Sequence, residues 1–193
     1  MDALALYEAQ PEAKRGTPEG LLFVDDKAYW ERLAIGAELT SAGLGTSHYG
    51  LTEAGSVLDV GCGYGDLQSL LSVHVTYVGI EMTPWVYREA RLRHPQSTLL
   101  RARFENLDGM GSFDVVALLG ILATTEKAEW TFVMARARRM ARKAVVVSWL
   151  EQDRYAGKLV AGTEETITAA FTRQASEIRD VAGDANRTAL FRV

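Results

Sequence analysis

The run VLDVGCGYGDL, Val57 to Leu67, concentrates residues that could do chemistry. Asp59 stands two residues ahead of the turn Gly61-Cys62-Gly63-Tyr64-Gly65, and Asp66 follows it. Glycine lets a backbone turn tightly and approach a ligand with no Cβ in the way. The spacing is G-x-G-x-G, so the third glycine of the dinucleotide fingerprint G-x-G-x-x-G is missing. A second acid, Glu81, closes the next apolar run, TYVGIE, where a ribose would lie. Acids around this loop, with no phosphate-binding base, suit a cofactor carrying an ammonium and a sulfonium rather than a pyrophosphate.

Other reactive side chains read more plainly. Cys62 lies inside the turn and is expected to be a small buried residue, not a nucleophile. His48, His74 and His94 have no spacing that would build a metal site, and no catalytic base can be named. Trp149 and the pair Tyr29/Trp30 are candidates for a substrate pocket, with core packing as the commoner use of such rings. Arg136, Arg138, Arg139, Arg142 and Lys143 fit a solvated helix end better than an RNA surface.

These residues need elements to position them. Apolar residues at helical spacing predict an amphipathic helix over 26–44. Strands are expected over 56–60, 76–81, 97–102, 113–119 and 144–150, apolar throughout. A helix should open at Asp66, a second at Thr83-Pro84, a long one over 125–143, and another near Thr163. QASEIRDV and RTALFRV, around a turn at Gly183 to Asn186, read as an antiparallel hairpin. Strands alternating with helices, and apolar on both faces, imply an α/β fold with a parallel sheet covered on both sides. Residues 1–25 read as a polar N-terminal arm, disordered or a lead-in, and 26–193 as one domain.

At these residues the chain resembles class I S-adenosylmethionine (SAM)-dependent methyltransferases, and more narrowly a group of small stand-alone methyltransferases. VLDVGCGYGDL matches their first motif; Tyr77, Gly79, Ile80 and Glu81 with Pro84, Ala90, Arg93 and Pro95 match the second. Phe113, Asp114 and Val116 through Gly120-Ile121 match the third. The resemblance implies a Rossmann-like, doubly wound seven-stranded sheet, mostly parallel with an antiparallel C-terminal hairpin. It also implies SAM as cofactor. Asp59, Gly61 and Gly63, with Cys62 beside them, would hold the methionine part, and Glu81 would take both ribose hydroxyls. Met82 would pack on adenine, Phe104 and Glu105 would meet its edge, and Leu119-Gly120 would line the methyl region. Arg103 departs from the family, whose aspartate there accepts from the adenine amino group; its guanidinium is expected to face solvent or an acid.

Composition sets the remaining bounds. The 193 residues carry a net charge of −4, a balance that disfavours a nucleic-acid partner. With a single cysteine no intramolecular disulfide can form, no apolar run is long enough to span a membrane, and the N-terminus lacks signal-peptide build, so a cytoplasmic protein is expected. No Asn/Asp-Pro-Pro-aromatic stretch or Pro-Cys follows the fourth strand, which disfavours base methylation of nucleic acids. The leading expectation is methyl transfer to a small-molecule acceptor, with Leu119–Leu122 and Ser148–Trp149 as its floor and the 26–44 helix as a lid whose removal spares the sheet. A macromolecular acceptor, or a non-catalytic SAM-binding module, stays open, as does the oligomeric state.

Overall fold

The computed structural model describes residues 3–21, 26–45, 55–151, 160–171, 175–180 and 185–193. The helices are α1 (Ala3–Glu8), α2 (Asp26–Leu44), α3 (Pro84–Arg93), α4 (Trp130–Met140) and α5 (Glu164–Phe171). The strands are β1 (Ser56–Val60), β2 (Thr76–Glu81), β3 (Thr98–Arg101), β4 (Phe113–Leu118), β5 (Ala141–Glu151), β6 (Ala161–Gly162), β7 (Glu177–Asp180) and β8 (Asn186–Arg192). Seven strands run in the order β3-β2-β1-β4-β5-β8-β7, and the two-residue β6 pairs beside the end of β5. β1 to β5 are parallel, while β8 runs antiparallel to both β5 and β7. This is the expected mixed sheet, with β6 added. The turn of the final hairpin falls largely outside the described residues.

Strand alternation divides the core in two. Leu58, Val116, Leu118, Val145, Val147 and Trp149 face α4 and α5, against Trp130, Met134, Ile167 and Phe171. Val57, Val115, Ala117, Ala144 and Val146 face the other side and pack against Ala37, Leu39 and Leu44 of α2. Gly43 permits that approach: a Cβ there would lie 3.1 Å from Val115 and 3.2 Å from Ala144 and Leu190. The helix read as a lid is therefore part of the core, and its removal would uncover one face of the sheet. Periodicity located α2 but could not say what its apolar face covers.

Two helices are shorter than expected. After Gly65 the chain makes only a 3-10 turn, Asp66–Leu70, before Leu71 adopts an extended conformation. The long helix over 125–143 is replaced by 3-10 turns at Ile121–Thr124 and Lys127–Glu129, then α4, and the chain is already in β5 at Ala141. The reason lies in side-chain bonding beside β4. Arg142 donates to Asp114 Oδ1, the Ser112 carbonyl and Ser56 Oγ, and Lys143 donates to the Leu44 carbonyl. These contacts tie down a basic segment that by local propensity would continue a helix.

Candidate active site

The carboxyl ends of β1, β2 and β4 lie at one edge of the sheet, because Asp59 is level with Gly79 on one side and Ala117 on the other. Ligands of open parallel sheets bind beyond that edge. Gly63 has φ +57, in the left-handed region, and a Cβ there would stand 3.0 Å from Leu21. The N–H groups of Gly61 and Cys62 both donate to the Ile80 carbonyl at 2.9 Å, and Gly63 N–H donates to Glu81 Oε2 at 3.2 Å. Thr83 N–H donates to the other oxygen of Glu81 at 2.7 Å. The carboxylate thus clamps the glycine loop to the end of β2. With those N–H groups engaged, residues 61 to 63 have no spare backbone donors for a pyrophosphate, which supports a cofactor of the opposite charge.

Two buried acids face this loop. Asp59 is 2% exposed and accepts a 2.6 Å hydrogen bond from the Tyr77 hydroxyl. Burial pushes its carboxyl up to about 7; the nearby Glu81 adds to the shift, and the Tyr77 bond opposes it. Burial also raises Glu81, which is 7% exposed, against the stabilising N–H groups of Thr83 and Gly63. Bringing a cation beside both would favour their ionised forms. Cys62 is held as a thiol, well above its ordinary range, first by burial and then by Asp59 and Glu81, so it is unsuited to attack as a thiolate.

One cavity of about 790 Å³ brings the predicted residues together. Asp59, Gly61, Cys62, Gly63, Glu81, Met82, Phe104, Glu105, Leu119 and Gly120 all line it. Gly120, at φ +87, is fixed by its N–H donating to Ser148 Oγ at 2.7 Å. Arg103 is half exposed and its guanidinium lies 3.5 Å from Glu105, an acid, as anticipated. Buried Phe104 sits under Arg136, 5.5 Å from the ring centre.

The expected substrate floor is only partly realised. Trp149, 1% exposed, belongs to the core facing α4 and α5, because strand alternation turns it away from the cavity. Ser148 supports Gly120 from behind, and Leu122 is also core, so of the proposed floor only Leu119, Gly120 and Ile121 line the cavity, with Leu150. Tyr29 lines it and donates to Asp66 at 2.7 Å, whereas Trp30 is 45% exposed and does not line it. His94 is bound to Asp66 at 3.0 Å, His74 is exposed, and His48 lies outside the described residues. Among the described residues no group of His, Cys, Asp or Glu could hold a metal, and no helix is long and apolar enough to cross a membrane.

Sequence reasoning missed Tyr7, Leu21, Arg32 and Asn186, all of which line the cavity. Arg32 lies three residues after Tyr29 on α2, so helical spacing could have placed it on the same face. Its Nη1 donates to Asn186 Oδ1 at 2.7 Å, which aims the guanidinium. Arg32 and Arg103 are the cations of the cavity lining among the described residues. Tyr7, Leu21 and Asn186 carried no local signal.

Comparison with known proteins places the fold among known ones. Residues 57–144 match a family model described as a methyltransferase domain. No curated protein sequence matches the chain. The fold is similar to N-methyltransferase NodS from Bradyrhizobium japonicum in complex with S-adenosyl-L-homocysteine (SAH), at 16% identity and TM-score 0.73, covering 100% of this chain and 98% of that one. It is similar to magnesium protoporphyrin IX methyltransferase from Synechocystis with bound SAM, at 15% identity and TM-score 0.71, covering 100% and 97%. An amino pentose methyltransferase from Micromonospora echinaspora, with SAM bound, is similar at 19% identity and TM-score 0.65, covering 86% and 95%.

Proposed function

We propose that this chain, which carries a class I SAM-dependent methyltransferase domain, transfers the methyl group to a small-molecule acceptor. The observation that carries the reading is a cavity in which the glycine loop, two buried acids and the turn after β4 converge. Its volume is that of a small-ligand site. Tyr7 and Leu21 of the arm, Tyr29 and Arg32 of α2 and the turns after β4 wall the sheet edge, a lining that suits a small ligand. Of the basic side chains that could have met RNA, Arg142 and Lys143 are at the start of β5, the opposite edge of the sheet, and are tied to Asp114. SAM-dependent methyltransferases described as acting on a porphyrin and on an amino pentose share the fold.

SAM supplies a methyl group already activated on a cationic sulfur, so the protein's work is alignment and exclusion of water. Asp59 and the Gly61–Gly63 backbone, with Cys62 as a small wall, hold the ammonium end. Glu81, held by the N–H groups of Gly63 and Thr83, would accept from both ribose hydroxyls. Met82 covers one adenine face, and the backbone of Phe104 and Glu105 meets its edge. Arg32, aimed by Asn186, takes the methionine carboxylate. Leu119 and Gly120 line the methyl region, and the acceptor enters over Ile121 and Leu150 on the side of β4 and β5.

The test is incubation with methyl-tritiated SAM and, separately, pooled metabolites, protein and RNA. Label should appear in the metabolite fraction. Label confined to protein or RNA would overturn the small-molecule assignment.

A further inference from the structure

The N-terminal arm has its own seat on the domain. Gly16 N–H donates to the Tyr64 hydroxyl at 3.0 Å, and that hydroxyl donates to the Thr17 carbonyl at 3.0 Å. Arg93 donates to the Gly16 carbonyl while its guanidinium lies 4.1 Å from the Tyr64 ring centre. The Trp85 indole N–H donates to the Tyr7 carbonyl at 3.3 Å, and Arg15 lies 5.5 Å over the same indole. Leu21, Tyr29, Tyr64, Trp85 and Val86 form a separate buried cluster, with Tyr7 packed against it.

Tyr64 sits between Gly63 and Gly65, in the turn that cradles the cofactor. It is fully buried, so its hydroxyl is not free to choose water over the arm. Two consequences reach the cavity. Leu21 approaches the position a Cβ would take on Gly63, and the Tyr7 side chain enters the lining. Burial, with the Glu81 carboxylate next in effect, raises the Tyr7 hydroxyl above its ordinary range, so it remains a neutral donor beside the acid that faces the ribose.

We propose that residues 3–21 are the outer wall of the cofactor site, that Tyr7 and Leu21 touch the bound cofactor, and that Tyr64 is the positioning residue that seats them. This rests on the SAM-binding reading above. Loss of the Tyr64 hydroxyl removes one accepted and one donated hydrogen bond while keeping the ring against Arg93 and Trp85.

The experiment uses the full chain, SAH as probe, and the variants Tyr64→Phe and Tyr7→Ala. Calorimetry should show SAH affinity falling about 10-fold in Tyr64→Phe, the scale of two ordinary hydrogen bonds, and at least as much in Tyr7→Ala. Trypsin supplies a readout that a purely structural tyrosine would not move, because Lys14 and Arg15 lie in the arm. Saturating SAH should slow cleavage there about 10-fold in the wild type and much less in Tyr64→Phe. Cleavage indifferent to SAH in the wild type, or wild-type affinity in both variants, overturns the proposal alone. A wild-type chain that binds no SAH overturns the methyltransferase reading beneath it, and the proposal with it.

Discussion

Replacing Glu81 with alanine separates two jobs that one carboxylate performs. Toward the cofactor it would remove two charge-assisted hydrogen bonds, each worth about 1.5–3 kcal/mol when lost. Water entering the cavity recovers part of this, so we expect a loss of about 2–4 kcal/mol, or about 30- to 800-fold in the SAH dissociation constant. Toward the protein it would strand the N–H groups of Gly63 and Thr83, which now donate at 3.2 and 2.7 Å. Those groups border the cavity, so hydration should limit the stability cost to about 1–2 kcal/mol, a few degrees of Tm. Glu81→Gln retains a carbonyl oxygen for Thr83 N–H but turns an amide against Gly63 N–H or the ribose, and should fall between wild type and alanine. The assay is calorimetric titration with SAH, beside thermal melts of all three proteins. A folded Glu81→Ala protein that binds SAH within threefold of wild type would refute the placement of the ribose on this acid.

Asp59 should make cofactor binding depend on pH. Its carboxyl is raised to about 7 in the folded protein, so the native state holds the proton more tightly than the unfolded chain. Its contribution to stability is therefore full below about pH 4 and lost as pH rises through 7. Binding the ammonium of SAH needs the ionised form, so affinity should rise from pH 6 to 8 while the stability of the empty protein falls; Asp59→Asn should flatten both trends, and titrations with no pH dependence in the wild type would exclude this role. Trp149→Ala should cost about 3–5 kcal/mol of stability in urea melts, because the ring is core; a variant of wild-type stability with depressed turnover would return Trp149 to the substrate pocket. Arg32→Met should weaken SAH about 10-fold and leave 5′-methylthioadenosine, which has no carboxylate, unchanged. Equal loss for both ligands would remove the guanidinium from the carboxylate.

Much of the site was legible because its signals are local. The glycines of the loop and the acids at the ends of β1 and β2 depend on strand-to-turn geometry within a few residues. Strand alternation then turns Asp59 and Glu81 to one face, and the parallel register of β1 and β2 brings both to one edge. The apolar runs marked β1 to β5, and Thr83-Pro84 marked the start of α3, for the same reason. Helix length was less accessible. Arg142 and Lys143 look like the end of a helix until Asp114 and the Leu44 carbonyl, remote in sequence, draw them onto a strand.

The sequence by itself determined the sheet, the glycine loop and the acidic character of the cofactor site, since each follows from backbone sterics and periodicity. Only the tertiary structure decided which side chains close the cavity. Trp149 left the site because of which face of β5 it occupies, and α2 became core because Gly43 lets it lie against Val115 and Ala144. Tyr7, Leu21 and Asn186 joined the site from the two ends of the chain. Tyr7 packs with Tyr64 and Trp85, which lie far from it in sequence, and Asn186 meets Arg32 across 154 residues. Such long-range contacts form where the folded surfaces meet, and no local pattern in the chain encodes them.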